Sequence, residues 1–191
     1  EPTQADRVTV VLLDAQGDGV EQLADILSSY EDIAALHVLS HGAAGLLRLG
    51  TASLGSSSLE RYRQQLGAWG QALKADGDIL IYGCNVAQGD VGISFVDRLA
   101  GVTQADIAAS DDLTGNSFIG GDWVLEAESG YVTHELDFMS TEQLVFAAND
   151  PLYKGLLAST ATVPSEGDDS LEPISGSTND GLKGDDAYVL T

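Results

Sequence analysis

The strongest constraint on the fold is an alternation between short apolar runs and segments of helical period. VTVVLLD (8–14) has the length and branched content of a buried strand, and a glycine-rich turn follows it. Val20, Leu23, Ala24, Ile26 and Leu27 then recur at helical spacing. LHVLS (36–40) reads as a second strand. GLLRLGTASLG (45–55) alternates and breaks at glycines, as a hairpin does. Leu59, Tyr62, Leu66, Trp69 and Leu73 fall at steps of three and four, so they line one helix face, and Ser57 with Glu60 has capping-box spacing at its start. DILIY (78–82) is a third strand. Ile93, Val96, Leu99 and Ala100 form another helical face, expected to stop at Gly101. ADIAAS (105–110) is a fourth strand. DWVLEAESGYVTHEL (122–136) reads as a hairpin turning near Ser129-Gly130, and QLVF (143–146) as a last strand. This rhythm predicts an α/β fold with a mostly parallel sheet and helices on both faces.

The 191 residues suffice for one packed domain with some chain to spare, and the composition shifts near residue 150. We therefore divide the chain into an α/β domain over 1–150 and an acidic tail over 151–191. Ser159 to Ser177 is rich in Ser, Thr, Pro, Gly and Asp and has no helical period. DSL (169–171), DGL (180–182) and DAY (186–188) weakly resemble the calcium-binding Gly-Asp nonapeptide repeats of secreted bacterial proteins. Their aspartates are spaced 11 and 6 apart rather than 9, which favours an acidic linker. Asp168, Asp169, Asp180, Asp185 and Asp186 nonetheless offer the oxygen ligands that Ca²⁺ prefers. The net charge of −22 argues against nucleic acid and anionic membrane surfaces as partners. No apolar run approaches the roughly 18 residues that span a bilayer. One cysteine excludes an internal disulfide, and one cysteine with three scattered histidines gives no zinc ligand cluster. The chain opens on Glu1 without a signal-like segment, so we expect it to be a piece of a longer protein.

In a parallel α/β sheet, sites form beyond the carboxyl ends of the strands. Three strands here end in useful chemistry: the second in His41-Gly42, the third in Gly83-Cys84 and the fourth in Ser110-Asp111-Asp112. Neighbouring strands lie about 4.8 Å apart, so the three ends converge. A thiolate is the nucleophile that a thiol must become, and an imidazole can take its proton and later deliver one to the leaving group. His41 and Cys84 are thus expected to face each other across a surface cleft. The N–H groups of Gly42 and Cys84 are candidate oxyanion donors, and Gly83 would allow a sharp turn exposing the sulfur. His37 lies mid-strand and reads as structural, and His134 as incidental. A rival order, Cys84, Asp111 and His134, suits an α/β-hydrolase triad, but the glycines flanking a nucleophile elbow are here Tyr82 and Val86.

The order of an apolar strand ending in Ser-His-Gly and another ending in Gly-Cys resembles the caspase, gingipain and clostripain group of cysteine peptidases. HVLSHG, ILIYGCNVA, ADIAASDDLTG and GGDWVLE resemble more closely the caspase-like DUF4347 domain of very large bacterial surface and adhesin-like proteins, over about residues 8–148. The resemblance implies a three-layer α/β/α sandwich and a Cys–His dyad, and it carries over to His41, Gly42 and Cys84. The Gln-Ala-Cys-x-Gly signature of caspases is missing, since Tyr82-Gly83-Cys84-Asn85-Val86 stands in its place. The expected function is a cysteine endopeptidase, secreted or on the bacterial cell surface, that processes itself or its parent protein. It needs no cofactor, with Ca²⁺ as the one candidate ion. Relatives that cut after Arg or Lys place a carboxylate in the substrate pocket, a role open to Asp111 or Asp112, and Lys154-Gly155 is a candidate cleavage site in the chain itself. The alternative is a non-catalytic adhesion or calcium-dependent module. The partners expected are a peptide or protein substrate, with neither nucleic acid nor membrane insertion.

Overall fold

The computed structural model describes residues 9–115, 117–133 and 188–190. Strand β1 (Val10–Leu12) leads into helix α1 (Gly19–Leu27). The Asp18 carboxylate caps α1 by accepting from the Val20 and Glu21 amides, and Val20, Leu23, Ala24 and Leu27 form its buried face. Strand β2 (Ile33–Leu39) runs straight into a small antiparallel sheet of β3 (Gly42–Ala43), β4 (Leu46–Leu49) and β5 (Ala52–Gly55). The hairpin expected over 45–55 is β4 with β5.

Helix α2 (Arg63–Ala72) starts later than the Ser57–Glu60 spacing predicts. The box does not form, because Glu60 bonds the Arg63 guanidinium and Ser58 is used to close the turn, its hydroxyl accepting from the Gly55 amide. Strand β6 (Leu73–Tyr82) follows, and helix α3 (Gly89–Thr103) connects it to β7 (Asp106–Ala109). Helix α3 runs through Gly101, an exposed position with open space around it. The helix ends instead at Gln104, which takes the left-handed φ of 61°.

The main sheet has the order β1, β9, β2, β6, β7, β8, where β8 is Ala127–Ser129 and β9 is Tyr188–Leu190. Strands β2, β6 and β7 are parallel, while β8 and β9 are antiparallel to their neighbours. The fold is therefore mixed α/β around a mostly parallel central sheet. The segment 122–136 does not make the expected hairpin among the described residues; β8 pairs backwards with β7. Strand β9 belongs to the segment read as a tail, and its last described residues lie within the sheet. The expected strand at 143–146 lies outside the described residues.

Strand order β1, β2, β6, β7 advances in one direction, so right-handed crossovers place the three described α-helices on one side. Consistently, α1 packs on α2 and α2 on α3. Leu36, Val38, Ile79, Ile81, Ile107 and Ala109 meet that helical layer. Helices on the second face, as a three-layer sandwich requires, are not among the described residues. That face is buried all the same: Ala35, His37, Leu80, Tyr82 and Ala108 are nearly inaccessible. His37 stacks on Tyr82, whose ring tilts against Trp123. Burial on both faces is why ILIY reads as an unbroken apolar run.

Candidate functional site at the carboxyl edge of the sheet

Strands β2 and β6 pair in parallel down to Leu39 beside Tyr82, and β6 and β7 down to Ile81 beside Ala109. His41 and Cys84 each stand two residues past that paired position. The strand ends converge on one edge, as the spacing predicts. The loops there interlock through backbone. Ser40 N–H donates to the Tyr82 carbonyl at 3.0 Å, and Gly45 N–H to the Val86 carbonyl at 2.9 Å. A side chain at Gly42 would place its Cβ 2.5 Å from Val86 Cγ2 and 2.8 Å from the Cys84 carbonyl, and one at Gly83 would come within 2.8 Å of the Ser40 carbonyl. The two glycines beside His41 and Cys84 are thus required by close packing of the two loops. The β7 end joins through Ala87 N–H on the Ser110 carbonyl, 2.9 Å, and Asn85 N–H on the Asp112 carbonyl, 2.6 Å. Asn85 adopts φ 60°, a left-handed conformation that asparagine tolerates better than most residues.

His41 is buried, with 7% of its surface exposed. Its carbonyl accepts from the Arg48 amide, while its Nδ1 is buried with no hydrogen-bond partner among the described residues. Cys84 is fully buried. The tight turn expected at Gly83 exists, closed by Val86 N–H on the Gly83 carbonyl, but it does not expose the sulfur to an open cleft. The backbone of Thr114 covers it: Sγ accepts from the Thr114 amide at 3.2 Å and donates to the Thr114 carbonyl at 3.4 Å. Thr114 is itself fully buried, and its Oγ1 has no partner among the described residues. Residues 113–115 are held in turn by Asp122, whose carbonyl accepts from the Gly115 amide and whose amide donates to the Leu113 carbonyl.

Asp111 and Asp112 are exposed, so neither forms the buried carboxylate of an enclosed pocket. Together with Glu126 they bring three carboxylates within 4.8 Å of one another. Glu126 accepts from the Asp111 amide at 3.0 Å. Loss of hydration pushes the Asp112 carboxyl above the usual carboxylate range, and the negative charges of Asp122 and Asp111 push the same way. Loss of hydration also raises Glu126, against the hydrogen bond it accepts from Asp111.

Sequence reasoning missed Thr114, Asp122 and Glu126. All three follow the β7 end within seventeen residues, and only the folded loop brings them back to it. His134, on which the triad alternative depends, lies outside the described residues, as do Lys154, Gly155, Asp168, Asp169, Asp180, Asp185 and Asp186. No helix among the described residues is long and apolar enough to cross a membrane. A family model described as "Domain of unknown function (DUF4347)" matches residues 3–148. No curated protein and no solved structure matches the chain.

Proposed function

The chain belongs to the DUF4347 family, and on that premise we propose that it is a caspase-like cysteine endopeptidase with Cys84 as nucleophile and His41 as proton carrier. One observation carries the reading: the imidazole and the thiol occupy matching positions just past the ends of adjacent parallel strands, and the imidazole Nδ1 is buried with no partner among the described residues. Paired ends of neighbouring strands are where α/β folds assemble chemistry. In the reaction, the thiol proton passes to His41 as sulfur bonds to the scissile carbonyl carbon. The tetrahedral adduct collapses, the C–N bond breaks, and the imidazolium returns the proton to the departing amine. Water then gives a proton to His41 while its oxygen displaces the sulfur from the thioester, and the imidazolium reprotonates the sulfur. Gly42 and Cys84 N–H groups are the candidate oxyanion donors.

Asp111 and Asp112, joined by Glu126, favour a basic residue before the scissile bond, because clustered carboxylates pair with guanidinium or ammonium groups. The substrate proposed is an exposed segment of the parent protein, with Lys154-Gly155 as one such bond, in a secreted or cell-surface bacterial setting. Ca²⁺ on the tail aspartates remains part of this proposal and is separable by calorimetry at millimolar Ca²⁺. The second reading, a non-catalytic adhesion module on the same fold, is favoured by the covered sulfur. Stoichiometric labelling by an electrophilic peptide ending in Arg or Lys, lost in both Cys84→Ala and His41→Ala, supports the peptidase. Failure to label or to cut Arg/Lys reporter peptides, with or without Ca²⁺, favours the module.

A further inference from the structure

We infer that Leu113–Gly115 is a backbone latch that holds Cys84 in a stored state, and that local opening of this latch regulates the site. The inference rests on the reading of Cys84 as a nucleophile. The described contacts on the sulfur from this segment are the amide and carbonyl of one loop residue, Thr114. In that arrangement the thiol donates to the Thr114 carbonyl.

The latch is attached asymmetrically. At its near end, Ser110 and Asp112 stay hooked to the Cys84 loop through the Ala87 and Asn85 amides. At its far end it is held by the two backbone bonds to Asp122. Release of the Asp122 pair and the Thr114 pair therefore lifts the Thr114 backbone off the sulfur while the Ala87 and Asn85 bonds hold the strand ends. Backbone freedom sits where such a motion needs it. Gly115 has φ 133° and Gly120 has φ 91°, conformations that residues with side chains rarely adopt.

The covering residue and the imidazole at the neighbouring strand end each carry a buried polar atom with capacity left to bond. Thr114 Oγ1 and His41 Nδ1 are buried without partners among the described residues. Buried polar atoms in a settled interior are almost always paired. Opening would give Thr114 Oγ1 water or substrate to bond, so the closed state holds a polar group that the open state satisfies.

The test is alkylation of Cys84 by iodoacetamide in the intact chain, at fixed pH and at urea concentrations below the unfolding transition. A latch gives a labelling rate nearly independent of urea, because local opening exposes little surface. Gly115→Ala should raise that rate at least tenfold while the melting temperature moves by only a few degrees. Hydrogen exchange on the unmodified chain covers the case where the variant does not fold: the Thr114, Gly115 and Asp122 amides should exchange well before those of β6. Labelling that climbs with urea in step with global unfolding, or latch amides that exchange together with β6, overturns the latch. The two readings fail separately. Fast local labelling with no reporter cleavage, unaffected by His41→Ala, keeps the latch and removes the peptidase.

Discussion

The two ends of the central sheet bury polar groups in opposite ways. At the amino end, Asp78 is 1% exposed, and its carboxylate accepts from the Thr133 amide at 2.8 Å and the Thr133 hydroxyl at 3.3 Å. That group is used, and what it does is tie the chain after β8 to the start of the parallel strands. At the carboxyl end, His41 and Thr114 are buried to a similar degree, yet His41 Nδ1 and Thr114 Oγ1 bond nothing among the described residues. Burial alone does not separate a structural group from a functional one. Unspent hydrogen-bonding capacity counts only together with place, because Trp69 Nε1 in the core also has no partner among the described residues, whereas His41 and Thr114 sit where strand ends converge.

The largest effect should come from breaking the packing under the carboxyl end. Gly42→Val would drive a branched side chain into Val86 and the Cys84 carbonyl. Overpacking of this kind costs about 3 kcal/mol, and here the obstruction includes backbone, which cannot move aside as a side chain can. We expect a fall in melting temperature of about 6–12 °C, read by thermal denaturation. A variant as stable as the parent would mean that the two loops are not interlocked.

The amino end should respond less. Asp78→Ala leaves the Thr133 amide without its acceptor, at a cost of about 2 kcal/mol. Urea denaturation should show a lower midpoint with an unchanged slope. At the carboxyl end the matching change has the opposite sign. Thr114→Val keeps the backbone pair on Cys84 and replaces a buried hydroxyl that has no partner among the described residues with a methyl of similar shape. It should stabilise the chain by about 1 kcal/mol. Opposite signs at the two ends would sharpen the comparison, and a loss at both would dissolve it.

These contrasts also mark what the sequence could and could not convey. Strand ends were legible because an apolar run stopped by Ser-His-Gly or Gly-Cys-Asn is a local pattern, and parallel pairing then brings those ends together. His37, expected to be structural, is buried mid-strand and stacks on Tyr82. The helix limits were less legible. The Ser57–Glu60 spacing was overruled by a closer partner, Arg63, and Gly101 lies inside α3, which ends at the left-handed Gln104 instead. Least legible were the matters set by distant chain. Helix placement on one face follows from strand order, and the cover over Cys84 comes from a residue thirty positions downstream. No period or motif in SDDLTG announces that its backbone will lie on a sulfur.

The smallest effect concerns the acidic rim beside the latch. Asp112 is raised above the ordinary carboxylate range, first by lost hydration and then by the Asp122 and Asp111 charges. The folded state therefore holds this proton more tightly than the unfolded state does. Stability must fall as pH rises from the unfolded value through the folded one, with the full penalty above that window and none below it. Glu126 is shifted in the same direction and contributes with the same sign. Asp112→Asn removes the charge and should raise the melting temperature by about 1–2 °C near neutral pH, a small gain because the group is exposed and screened. The gain should disappear at about pH 3, where the native carboxyl is already protonated, and shrink in about 0.5 M salt. Asp78, which already spends its carboxylate on Thr133, is the control: Asp78→Asn should gain nothing at neutral pH. A gain for Asp112→Asn that persists at low pH would mean that packing, not charge, is what the rim holds against the latch.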